Sequence, residues 1–264
     1  MKFLKKSLWA ALALTFTAPA FAAMNNVDSG TGSSFMLNII DKSAAVSATF
    51  DLGPTFAAFN PNVDASWDLT TTSDTANYNT AFTSFAGAAT NANVTWSIFG
   101  GQLGPELSSQ SFYSTFTSSA ISGWTAINGM ESSNVSGGMY SLIQAVNMQT
   151  THNGYTNGAN FATAADADYS STYASNVYGV NGDFGLNNVM VTSYGNSMNL
   201  YKITNSSNDN FFADVNKSLM GTFTLTSAGA LTYVAAVPEA DTAGMVLAGL
   251  GLMGFIARRR KQIA

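Results

Sequence analysis

The chain has 264 residues, no cysteine, one histidine and 10 Lys+Arg against 15 Asp+Glu, for a formal net charge of −5. The missing cysteines exclude a disulfide framework, a thiolate metal site and a cysteine nucleophile, and the acidic balance disfavours nucleic acid as a partner. Hydrophobic residues make up 46% and aromatics 12%, too many for a disordered chain, so a folded core is expected.

Residues 1–22 read as a secretory signal peptide. Lys2, Lys5 and Lys6 form a basic start, Leu8 to Phe16 an apolar run, and Ala20-Phe21-Ala22 a small-x-small cleavage site, with a mature start at Ala23. Residues 35–41 and 45–52 then alternate like two strands joined by a turn at Lys42-Ser43-Ala44, and residues 94–99 form a third before a break at Gly100-Gly101. Three stretches carry helical spacing. They are 73–86 (Tyr78, Phe82, Phe85), 105–118 (Leu107, Phe112, Phe116, opening on Pro105-Glu106) and 138–149 (Met139, Leu142, Ile143, Val146). Residues 189–193 and 198–204 flank Tyr194-Gly195-Asn196-Ser197 as a hairpin, and 219–226 and 230–235 flank Ser227-Ala228-Gly229 as another. Asn-Gly pairs at 128–129, 153–154, 157–158 and 181–182 add turns. For residues 23–236 the expected architecture is mainly β: a β-sandwich or jelly-roll-like single domain with a few short helices. No period of 20–50 residues repeats, which argues against a solenoid or a propeller.

Candidate chemistry is sparse. His152 sits in a turn-like Thr-Thr-His-Asn-Gly and reads as a solvated loop residue rather than a catalytic base. Asp64/Asp68, Glu106/Glu131 and Asp166/Asp168 could supply a carboxylate pair, yet no spacing selects one, and solubilising acids are the plainer account. Asp166-Ala167-Asp168 and Asn208-Asp209-Asn210 put oxygen ligands on loops, the donor type of a structural calcium, but neither has the length of an EF-hand loop. Trp67, Trp96 and Trp124, with Tyr113, Tyr140, Tyr155, Tyr173 and Tyr178, offer faces to sugar rings, although strand and core positions are the ordinary use of such residues. No resident cofactor is expected, and no catalytic residue is assigned.

The C-terminal segment is the most specific feature. Val237-Pro238-Glu239-Ala240 is followed by residues 242–257, sixteen without a charge, and then by Arg258-Arg259-Arg260-Lys261. Sixteen residues make about 24 Å of helix, short of the ~30 Å hydrocarbon core, a gap that apolar flanks and local thinning of the bilayer can close. Gly244, Gly249, Gly251 and Gly254 suit a membrane helix better than a soluble one, and the basic cluster belongs on the cytoplasmic side. These three ordered parts resemble the PEP-CTERM sorting signal of Gram-negative bacteria. Ala240 stands where that family's name implies a second proline.

The resemblance implies recognition of the tail by exosortase, a membrane-embedded protease or transpeptidase, and a link to exopolysaccharide and biofilm. It also implies export through the inner membrane, a transient anchor at 237–264, and a final place at the cell surface, in the matrix or in the medium. Without the leader and the tail, the body at 23–236 keeps 13 acids and 3 bases (Lys42, Lys202, Lys217), a net charge of about −10. Two functional classes follow. One is a non-enzymatic surface or matrix protein. The other is a secreted carbohydrate-binding module or glycosidase.

Overall fold

The structure is a computed structural model, and it describes residues 24–71, 78–102, 111–117, 129–148, 158–170, 192–205 and 215–236, without the side chains of 129–138, 205 and 215. The strands are β1 (Ser34–Asp41), β2 (Val46–Thr55), β3 (Ala65–Asp68), β4 (Thr95–Gln102), β5 (Ser111–Phe116), β6 (Ala159–Thr163), β7 (Thr192–Ser193), β8 (Ser197–Asn205), β9 (Val215–Leu225) and β10 (Ala230–Ala235). Helix α1 (Tyr78–Ala88) precedes β4, and α2 (Gly129–Met148) lies between β5 and β6. Every strand pair is antiparallel, and the order is β3-β10-β9-β8-β5-β4-β1-β2-β6, with β7 beside β4.

Mainly β is therefore correct, while the two-sheet sandwich gives way to one sheet that curls. Trp67 on β3, at one end of the order, donates its Nε1–H to the Leu52 carbonyl on β2, near the other end, at 2.7 Å. Phe35 on β1 stacks on Phe59 at 4.2 Å and lies 6.1 Å from Phe223 on β9. The alternating inner residues Phe35, Leu37, Ile39, Phe50, Trp96, Ile98, Leu200, Phe223 and Tyr233 thus meet across the hollow of the curl instead of facing a second sheet.

Helix α1 sits at the seam. Tyr78 packs edge-on against Phe50 of β2 and donates its hydroxyl to the Asp51 carbonyl, while Asn79 Nδ2 donates to the Thr70 carbonyl at 2.7 Å, just beyond β3. Phe82 reaches the β9–β10 turn, where a Cβ on Gly229 would lie 3.0 Å from its ring. Part of the outer face is covered by α2. Met139, Leu142, Ile143 and Val146 pack on Met36, Phe99, Phe112, Phe116 and Ile203. Met24 and Val27 join them, and Asn147 brackets Met24 with Oδ1 on its N–H (3.0 Å) and Nδ2 on its carbonyl (2.8 Å). Strands β1 and β5 are in consequence buried on both faces.

Several expected elements appear as read. The first hairpin turns where Asp41 Oδ1 accepts from Ser43 N–H, Ser43 Oγ–H and Ala44 N–H, and the last turns at Gly229 with φ +86°. Others need correction. The helix expected over 105–118 is strand β5 where it is described. Phe112 and Phe116 are four apart, an even spacing that shares a face in a strand as well as in a helix, and the Ser/Thr/aromatic content favours the strand. The break expected at Gly100-Gly101 is absent, because β4 runs through both. Side chains there would meet Phe35 Cδ2 at 2.9 Å and Met139 Sδ at 2.8 Å, so the glycines admit close neighbours on the two faces.

Helix α2 begins at Gly129, nine residues before the expected 138. The strand before Tyr194 does not pair with β8; β7 pairs with β4 through Trp96↔Thr192, and Gly195 N–H instead reaches the Leu225 carbonyl at 2.8 Å. Of the Asn-Gly pairs, 153–154 and 181–182 lie outside the described residues, and Gly158 takes φ +66° as β6 begins.

Candidate functional site at the C-terminal exit

Strand β10 is the last described element, and its final residues are held from both sides. The Ala236 N–H donates to the Met220 carbonyl at 2.9 Å, and the Ala235 N–H donates to Asp64 Oδ1 at 2.9 Å. Tyr233 shares its single hydroxyl proton between the carbonyls of Met220 (2.6 Å) and Pro61 (2.9 Å). Burial, followed by the neighbouring Tyr113 and Asp64, holds that hydroxyl well above the usual tyrosine range, so it stays a donor at any ordinary pH. The ring lies against Gly221, where a Cβ would collide with the Val234 carbonyl and come within 2.5 Å of the Tyr233 hydroxyl. A register shift beside Met220 turns that carbonyl toward both donors, because Leu200 pairs with Gly221 and Tyr201 with Leu219. Three sequence-distant pieces, 61–64, 220–221 and 233–236, therefore meet where the chain leaves the sheet.

A second polar centre lies at the other side of the sheet. Asp51, fully buried on β2, accepts Ser34 Oγ–H at 2.5 Å and Gly53 N–H at 2.8 Å, and Ser34 Oγ in turn accepts the Asn25 N–H at 2.9 Å. Burial outweighs those donors and pushes its carboxyl up to about 6. Sequence reading passed over Asp51, because an acid in an alternating strand looks solvent-facing. Gly221 did carry a signal, since a lone glycine within a strand marks close approach.

The candidate acids differ in use. Asp64 holds Ala235, and Asp68 Oδ1 accepts from Thr70 N–H and Oγ–H, which lower its pKa. Asp166 Oδ2 accepts from Thr163 N–H and Oγ1–H, whereas Asp168 receives the Asn160 side-chain amide. Among the described residues, no three His, Cys, Asp or Glu gather to hold a metal. His152, Glu106 and Asn208-Asp209-Asn210 lie outside the described residues, as do Trp124, Tyr155, Tyr173 and Tyr178; Glu131 lies on α2 without a described side chain. Trp96 and Tyr113 are core residues. Trp67 is partly buried and spends its N–H on Leu52, and Tyr140 packs beside the α2 cluster.

The signal cleavage residues Ala20, Ala22 and Ala23 lie outside the described residues, as do the sorting residues Val237, Pro238, Glu239 and Ala240 and the basic cluster Arg258, Arg259, Arg260 and Lys261. So does the segment expected to cross the membrane; among the described residues no helix is long and apolar enough to do so. No curated protein and no solved structure matches the chain. A family model does match. Residues 236–261 fit the PEP-CTERM protein-sorting motif, beginning at the residue whose N–H closes on Met220. The chain thus carries a PEP-CTERM sorting motif, which indicates export, transient anchoring at the C-terminal segment and recognition by the membrane enzyme exosortase.

Proposed function

We propose that the protein is a non-enzymatic surface or matrix component: a curled β domain delivered outside the cell by its sorting segment and retained with exopolysaccharide. The observation that carries this is the exit from β10. Among the described residues the bonds that hold the strand run up to Ala236, the first residue of the sorting match, so the described fold is closed just ahead of the segment on which exosortase would act. Four of the described acids support the same reading, since Asp64, Asp68 and Asp166 are bound into turns or strand ends and Asp51 is buried within β2. An acidic body suits an extracellular matrix and repels nucleic acid.

The test is the state of the exported protein. In cells with exosortase, mass spectrometry of the mature chain should show residues 258–264 removed, with the domain recovered from the surface or matrix fraction. Intact residues 258–264 on exported protein would replace processing by simple anchoring. A polysaccharide pull-down beside a hydrolysis assay addresses the role. Binding without turnover is expected, and turnover abolished by changing one carboxylate would overturn the non-enzymatic assignment.

A further inference from the structure

Among the described residues, four large apolar side chains are conspicuously exposed: Val63 (48%), Met148 (75%), Leu219 (48%) and Val234 (58%). Three of them gather around the point where the sorting segment leaves the sheet. Val234 lies opposite Thr222, and Leu219 lies opposite Tyr201. Thr222 bonds Asn199, which pairs with Phe116, and Phe116 and Tyr201 belong to the outer-face cluster under α2. Val234 and Leu219 therefore both project from the outer face, on neighbouring strands, while the described packing of α2 on that face falls on β1, β4, β5 and β8. Val63 is one residue from Asp64, the carboxylate that holds Ala235.

Five residues, 237–241, separate this corner from the uncharged stretch at 242–257. At about 3.5 Å each they reach no more than roughly 18 Å. With that stretch in the bilayer, the corner cannot leave the membrane surface by more than this distance. A tether so short turns even a weak surface contact into an intramolecular one, so a few aliphatic side chains suffice to orient the body. We propose that Val63, Leu219 and Val234 form a seat on the outer leaflet of the lipid bilayer, which the body occupies while its sorting segment is anchored; the proposal rests on the anchoring described above. The seat would hold the Ala235–Ala236 end of β10 against the membrane and turn the motif at 237–240 toward a membrane-embedded enzyme.

The absence of native cysteine makes single labelling sites straightforward. Full-length Val63→Cys, Leu219→Cys and Val234→Cys variants would each carry an environment-sensitive dye. Ser227→Cys, in the turn at the opposite end of β10 and about 20 Å away, would serve as control. Each is reconstituted into phosphatidylethanolamine–phosphatidylglycerol vesicles, and flotation reports anchoring independently. The expected result is that floated chains are quenched by headgroup nitroxide lipids at least threefold more at 63, 219 and 234 than at 227, with the reverse order for aqueous iodide. A Leu219→Ser, Val234→Ser double variant probed at position 63 should lose that difference while still floating. Floated chains with equal quenching at all four positions would overturn the seat and leave the anchor intact. Protection that appears only when exosortase is added would also overturn it, assigning the corner to a protein surface. Chains that fail to float would remove the anchoring and the seat together.

Discussion

Replacing Gly221 by alanine drives a Cβ into the Val234 carbonyl and to within 2.5 Å of the Tyr233 hydroxyl, both of them fixed by the strand end they close. Overpacking of this kind costs about 3 kcal/mol, and urea unfolding of Gly221→Ala should show it. Tyr233→Phe removes the donor shared by Pro61 and Met220 and should cost about 1–2 kcal/mol in the same assay. Asp51 gives a pH signature. Its carboxyl rises from 3.8 to about 6 on folding, so the folded chain holds that proton more tightly than the unfolded one. Its contribution is therefore most favourable below pH 3.8 and is lost as pH climbs through 6, by about 3 kcal/mol in all. Compared with the parent, Asp51→Asn should gain relative stability between pH 4 and 7, read as a difference in unfolding midpoint that grows with pH. A difference that does not change over that window would mean the carboxyl is not perturbed.

Helix α1 and strand β5 illustrate what an element reveals in advance and what it withholds. Tyr78, Phe82 and Phe85 at i, i+4 and i+7 marked α1 correctly, because that spacing aligns only on a helix; i and i+7 fall on opposite faces of a strand. In β5 the Phe112–Phe116 spacing satisfies both periods, and the deciding contacts, Tyr113 inside the curl and the two phenylalanines under α2, lie far away in sequence. Strand β3 has only four residues, and its place is set by β10 and by the Trp67–Leu52 bond, neither visible locally. At the exit the hairpin and the motif were legible, whereas the grip of Asp64, Pro61 and Tyr233 depends on contacts more than 170 residues apart. The seam itself can be tested. Phe85→Ala empties a buried site under α1 and should cost about 3–5 kcal/mol, while Trp67→Phe, which loses the bond to Leu52 and trades the indole for a smaller ring, should cost about 1–2 kcal/mol. If α1 were an appendage, the first change would cost no more than the second.

At the scale of the molecule, one sheet does the work expected of two by bending until its first strand bonds its eighth, with α1 across the join and α2 on the outside. Without cysteine, stability rests on this core, in which ring contacts link Phe35, Phe59, Tyr113, Phe223 and Tyr233. The exit has a mechanical side as well. Strand β10 is gripped along both edges, Leu231–Ala235 by β9 and Ala230–Tyr233 by β3. A chain tugged from Ala236 along that axis would have to shear two ladders together, whereas a sideways pull would peel them one bond at a time. A load passed along the strand from the sorting segment would therefore be borne by β9 and β3 together, which would make the strand that leads to that segment its mooring as well.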